Sequence, residues 1–372
     1  MRTLSSWTTS LTLLLLTAGL AAGAADSPLG AVPFTAVKLA DTVWAPRLER
    51  NSTVTVAHLL RELEKQGSLG GFRYLAGDRA QAYRGYIWGD SDVYKTLEGI
   101  AYSLQHRPDP ALAQRLEEIV ATIARAQAPD GYLFPHLQIA EPKYDHFKDE
   151  TTRTCESYSM GHLIESAIAH HQLTGRKNYL DVATKAADLL ARVHEGGKLL
   201  QNGGHPEIEL ALVKLHEVTG NRRYLDLATS LVRNTQRLAT LWSNRRPAFG
   251  HDEAHGHAVA MLYLYSAATD IGRLTGDRDL LERVGRKWTN VVGRKLYVTG
   301  GLGHVRHSEG FAPDYDLPND IAYCETCAAI ANVFWQHRLF LTHGDAAYVD
   351  VLERYLYNNV LAGVSLTGDR FF

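Results

Sequence analysis

An all-α toroid of paired helices is the fold this sequence predicts, and three observations predict it. Apolar helical runs recur along the chain, each closed by a turn that often contains Thr-Gly and followed by a second helix. The first helix of each later pair is the more apolar one, as in IELALVKL and AVAMLYLY, which suits an inner ring flanked on both faces. Strand-like runs are scarce, with Phe34 to Val37 and Lys295 to Val298 as the two short candidates.

The helical units follow in order. LTGRKNYLDVATKAADLL from Leu173, VTGNRRYLDLATSLVRNT from Val218, LTGDRDLLERVGRKWTNVV from Leu274 and LTHGDAAYVDVLERYLYNNV from Leu341 share one plan. A glycine stops one helix, and an aromatic or leucine after the turn opens the apolar face of the next. Spacings of roughly 45, 56 and 67 residues suit one αα unit with variable loops rather than a strict solenoid. A first helix is expected over about Val54 to Lys65. Pairs are expected at 93–104 with 111–127, 157–173 with 178–193, 206–218 with 222–235, 257–273 with 278–292, and 328–341 with 345–360. Six hairpins would close an (α/α)6 ring. Eleven helices leave it one short, so the barrel over residues 33–372 is expected to be incomplete, with an apolar inner face uncovered. An open helical array is the plainer alternative.

Residues 1–25 read as a secretory signal: Arg2 gives a positive start, Leu11 to Leu20 is almost wholly apolar, and Ala22, Gly23 and Ala24 make a cleavage site. An exported or periplasmic product follows, with no membrane association after cleavage. The 39 basic and 41 acidic residues nearly balance without a basic tract, which argues against a nucleic-acid partner. Only three cysteines occur, Cys155, Cys324 and Cys327, so disulfides are not the scaffold.

Candidate site residues gather where the inner helices begin. WGDSDVYK from Trp88, CESYSMGH from Cys155, GGHPEIE from Gly203 and FGHDEAHGH from Phe249 each put a carboxylate or histidine beside the start of an apolar helix. His162, His205 and His257 would then converge from neighbouring hairpins, and with Trp88 or a tyrosine as a flat wall they suit an uncharged polyol such as a sugar. Glu325 and Cys327 lie two apart ahead of the helix at Ala328, so an extended backbone would point both at one zinc ion. Cys324 would face away into packing; a Cys324–Cys327 redox pair is the alternative. Glu309, in a Gly-rich loop, is free to address the same pocket. A carboxylic acid beside another carboxylate and an apolar wall suits proton donation to a leaving oxygen.

Across nearly all of its mature length the chain resembles the glycoside hydrolase family 127 β-L-arabinofuranosidases. DTVWAPRLERN from Asp41, WGDSDVYK, GHLIESAIAH from Gly161, GHPEIELALVKL from Gly204, GHAVAMLYLYSAATD from Gly256, the SEGF loop and AYCETCA carry the resemblance. It implies an exo-acting, retaining hydrolase of arabinofuranoside oligosaccharides or glycoconjugates, an (α/α)6 barrel backed by β-sandwich domains, and a cysteine nucleophile held by zinc. Glu309 takes the place of the general acid/base, Glu325 and Cys327 of two zinc ligands, and His162, His205 and His257 of the histidines that hold the terminal sugar. The family's adjacent cysteine pair, which includes the nucleophile, would fall beyond Phe372, as would the last helix and the β-domains. A sugar-binding remnant without catalysis, or another α/α-barrel enzyme such as a lyase or epimerase, are the other function classes.

Overall fold

The computed structural model describes residues 29–80, 84–148, 154–195, 204–234, 241–243 and 245–371. The expected signal at 1–25 lies outside the described residues.

The chain enters through α1 (Trp44–Arg50), which runs by a π-helical turn (Asn51–Thr55) into α2 (Val56–Gln66), and then α3 (Ser68–Leu75). Five helix pairs follow: α4 (Gly89–His106) with α5 (Pro110–Ala126), α7 (Glu156–Thr174) with α8 (Asn178–Glu195), α9 (Ile208–Thr219) with α10 (Arg222–Arg233), α11 (Ala258–Thr275) with α12 (Arg278–Arg294), and α13 (Thr326–His343) with α14 (Ala346–Arg354). A short α6 (Pro135–Ala140) lies between the first two pairs. All eleven expected helices form, within a few residues of their expected bounds. The helices α1, α3 and α6 were not expected, because each is too short to set up a periodic apolar face.

Adjacent first members pack side by side, α4 on α7, α7 on α9, α9 on α11 and α11 on α13, with α2 against α4. These are the inner helices, and the molecule is an all-α (α/α) toroid. Burial follows the layer. Every residue of α11 from Ala258 to Gly272 is buried, whereas α10 buries only the stripe Tyr224, Leu225, Leu227, Ala228, Leu231 and Val232. Each such large apolar side chain contributes roughly 1.5–3 kcal/mol of transfer free energy. Left-handed glycines close α7, α9, α11 and α13 at Gly175, Gly220, Gly276 and Gly344, and Asn221, Asp277 and Asp345 cap the partner helices that follow.

The two strand expectations are corrected. Phe34–Ala36 is a 3-10 turn, and Lys295 to Val298 leads into a tight turn in which Gly300 N donates to Tyr297 O. Among the described residues only isolated bridges form, at His257–Gly310, Val305–Gly310 and Val364–Phe371. A β-prone run needs a partner strand to become one, and neither run finds one here.

Candidate active site at the helix mouths

The inner helices begin around one opening. Trp88, Cys155, Glu207, His257 and Glu325 are the residues immediately preceding α4, α7, α9, α11 and α13. The positive ends of these helices therefore face a common space, which favours carboxylates and hydroxyl-rich ligands there. That space is a cavity of about 590 Å³. His162, His205, His257, Glu309, Glu325 and Cys327 all line it. Cys155, remote in sequence, lines it too.

Two aromatic walls hold the histidines. Tyr158 meets His162 and His205 edge-on at 4.6 and 5.0 Å between ring centroids, and Trp242 meets His205 and His257, each at 5.0 Å. Burial drives His162 and His205 well below the usual imidazole pKa, with Lys95 adding to the effect at His162 and His257 at His205. Burial likewise lowers His257, against the opposing pull of Glu309. All three are neutral rings: His205 donates from Nδ1 to Pro206 O at 2.8 Å and keeps Nε2 as an acceptor, while His257 Nε2 is engaged with Glu309.

Glu309 sits on a left-handed residue, φ +49°, at the tip of a narrow turn. Its carbonyl accepts from Ala258 N at 2.9 Å, and Phe311 N donates to Gly256 O at 2.8 Å, so the turn is stitched to the start of α11. Its Oε2 lies 2.9 Å from His257 Nε2. Gly256 makes this close approach possible: φ is +86°, and a Cβ there would meet Trp242 O at 2.2 Å.

At the start of the neighbouring helix α13, Glu325 Oε2 is buried without a hydrogen-bond partner, and Cys327 bonds to Glu325. Burial and that bond push the Cys327 thiol up to about 12. Its surface is open to the cavity, yet protein surrounds the cavity, so the sulfur is poorly solvated. Cys324 turns away as expected. Its Sγ packs where a Cβ on Gly301 would stand only 2.9 Å from it, and burial raises its thiol to about 11. The two cysteines are not joined.

The floor carries charges the sequence reading did not single out. Lys95 Nζ donates to Tyr158 Oη at 2.7 Å. Burial disfavours this ammonium, but Tyr158 and Asp92 more than offset it and its pKa is raised. Glu165 is ion-paired with Lys214, and Glu207 Oε1 stands 3.5 Å from His162 Nδ1. Burial and the neighbouring Glu165 raise Glu207 well above the usual range and Glu98 to about 7. His162, Glu165 and Glu207 bring one ligand atom each within 4.8 Å of one another, a cluster able to coordinate a cation. Lys214 already supplies positive charge there. The signal for these residues was an ionisable group interrupting an apolar inner helix, Glu165 in GHLIESAIAH and Lys214 in IELALVKL.

Comparison with known proteins decides the family. The profile described as Beta-L-arabinofuranosidase, GH127 catalytic domain, matches residues 36–372. The chain belongs to the GH127 beta-L-arabinofuranosidase family. A non-reducing end beta-L-arabinofuranosidase of Bifidobacterium longum is 38% identical over 340 residues, which are 83% of this chain and 51% of that protein. A solved GH127 beta-arabinofuranosidase superposes with a TM-score of 0.84 at 40% identity, covering 92% of this chain and 56% of that one. The solved Ara127N-Se, a GH127 beta-L-arabinofuranosidase of Geobacillus stearothermophilus T6, gives 0.85 at 34% identity, covering 90% and 57%. This GH127 chain thus spans about half the length of the relatives it matches.

The GH127 chain brings all six sequence-predicted residues to one cavity. Glu325 and Cys327 bond to each other and are two potential metal donors, whereas zinc takes about four ligands. Among the described residues, the only cluster of three or more such ligands is the His162–Glu165–Glu207 group, which contains no cysteine.

Proposed function

We propose that the protein is a glycoside hydrolase that releases terminal β-L-arabinofuranose with retention of configuration, with Glu309 as its general acid/base. The observation that carries this reading is the 2.9 Å contact between Glu309 and His257 on the wall of a cavity lined by neutral histidines and aromatic faces. In this reading His162, His205 and His257 bind the hydroxyls of the sugar, His257 through the Nε2–H it shares with Glu309, while Tyr158 and Trp242 shield its apolar face. Protonated Glu309 gives its proton to the departing glycosidic oxygen. The resulting carboxylate then takes a proton from the water that releases the sugar.

The attacking cysteine that the family resemblance implies is not assigned to Cys155, Cys324 or Cys327. Glu325 and Cys327 are proposed as two of the zinc ligands; when bound, zinc would hold a coordinated sulfur as thiolate. The product is proposed to be exported, with residues 1–25 removed and residues 33–372 forming the barrel domain. No helix among the described residues is long and apolar enough to cross a membrane.

The test is steady-state hydrolysis of alkyl and aryl β-L-arabinofuranosides by the complete gene product and its Glu309→Gln variant. Turnover by the wild type, with a loss of about 10²–10⁴-fold in kcat/KM for the alkyl substrate on substitution, is expected. A wild type that cleaves no arabinofuranoside would sink the substrate assignment. A variant as active as wild type would sink the acid/base role.

A further inference from the structure

Helix α12 belongs to the outer layer, yet one strip of it is polar and buried. Lys287, Asn290 and Lys295 are 1%, 7% and 3% exposed, and Arg294, 52% exposed, lies at the edge of the strip. Spacings of three and seven residues put Lys287, Asn290 and Arg294 on one helix face, and Lys295, the residue that ends the helix, extends the strip. Burying such groups costs free energy unless each finds a partner, and here every side-chain hydrogen bond of the strip goes to one of two segments.

The first segment leads into His257. Lys287 Nζ donates to Glu253 O at 2.7 Å, Ala254 N donates to Asn290 Oδ1 at 2.8 Å, and Lys295 Nζ lies 3.1 Å from Glu253 Oε1. The second leads away from Glu309. Asn290 Nδ2 and Arg294 Nη1 donate to the two oxygens of Asp314, both at 2.9 Å. Lys295 Nζ donates to Ala312 O at 2.6 Å and lies 3.0 Å from Asp314. Tyr315 N donates to Arg294 O at 2.8 Å. Burial alone would raise the Asp314 carboxyl, but Arg294, Asn290 and Lys295 together hold it down at about 2.

We propose that the Lys287–Asn290–Arg294–Lys295 strip is a buckle that clamps the His257 and Glu309 segments together, and that Asn290 and Lys295 are positioning residues for proton transfer by Glu309. The second half rests on the reading of Glu309 as acid/base. The first does not. Glu309 occupies a left-handed backbone that a non-glycine residue keeps only when its surroundings impose it. The buckle grips the chain three to six residues beyond Glu309 and three to four before His257, so it fixes both ends of the contact without touching the sugar.

Lys295→Met and Asn290→Ala are made in the complete protein, and two properties are read. Amide hydrogen exchange at Ala258 and Phe311 should accelerate by about tenfold or more, while amides of α7 and α9 keep their wild-type protection. The alkyl arabinofuranoside, which needs the proton, should lose about tenfold more kcat/KM than the 4-nitrophenyl one, which barely needs it, with L-arabinose affinity unchanged. Should Lys295→Met fail to fold, Asn290→Ala carries the same comparison. Unchanged exchange at both amides overturns the buckle. Faster exchange with equal losses on the two substrates reduces the strip to a structural support and overturns the positioning role. A wild type without arabinofuranosidase activity overturns the functional reading instead, and exchange still decides the buckle.

Discussion

His257 is asked to do two things at once, and its two ring nitrogens divide them. Ala260 N donates to Nδ1 at 3.3 Å, so Nδ1 is the acceptor and caps α11. A neutral ring then carries its hydrogen on Nε2, which donates to Glu309 Oε2 and leaves Oε1 for the ligand. Substitution should separate the roles. His257→Asn keeps a capping oxygen but cannot reach Glu309; its thermal unfolding should match wild type while kcat/KM falls roughly 10–100-fold. His257→Ala loses both, with about 1 kcal/mol of stability gone in addition. Equal destabilisation by both variants would mean that the cap is not what His257 contributes. His257 itself was legible in the sequence because a histidine directly before an apolar helix is conspicuous. Glu207 was not singled out, although it too precedes an apolar helix, because its meaning depends on Gly161. A Cβ on Gly161 would stand 2.5 Å from Glu207 Cγ, and it is this close packing of two helices that seats the carboxylate beside His162.

Helix order and helix ends were the most legible features, since both are set locally. Apolar period and a following glycine define where α7, α9, α11 and α13 run and stop, whatever they pack against. The turn carrying Glu309 was not legible, because its shape is fixed by hydrogen bonds to Gly256 and Ala258, some fifty residues earlier, and by the strip on α12. Two glycines measure the difference. At Gly175 φ is +72° and an added Cβ meets nothing, so Gly175→Ala should cost only the left-handed backbone preference, roughly 1 kcal/mol. At Gly256 the same backbone preference is joined by a clash with the Trp242 carbonyl and Ser243 Cα at 2.2 and 2.6 Å. Gly256→Ala should cost about 3 kcal/mol or more and should also abolish L-arabinose binding. Urea unfolding of the two variants gives both numbers. Similar losses at the two sites would show that the turn relaxes around the extra methyl, and that its geometry is softer than the hydrogen bonds imply.

At the scale of the molecule, the ring gathers charge as well as histidines and aromatic faces. Among the described residues, Asp92, Glu98, Glu165, Glu309 and Glu325 line the cavity with one lining cation, Lys95, and Lys214 behind Glu165 as its ion-pair partner. The helix N-termini that converge there offset part of this excess, which is how a ring of separate hairpins can tolerate so many carboxylates in one place. A neutral pentose meets this field through its hydroxyls. A uronate adds another negative charge to it, and the sequence offers no Arg/Lys cluster beside these motifs to receive one. One uncompensated charge pair at about 8 Å in a medium of effective dielectric near 20 costs roughly 2 kcal/mol, or about 30-fold in affinity. L-arabinose should therefore outcompete a uronic acid of similar size by at least about tenfold at low salt, with the gap narrowing as ionic strength screens the outer carboxylates. Calorimetric titration of both sugars reads it directly. Equal affinities would mean that Lys95, turned from Tyr158 toward the ligand, neutralises an incoming carboxylate, and the cavity would then fit the acidic-sugar chemistry of a lyase better than that of an arabinofuranosidase.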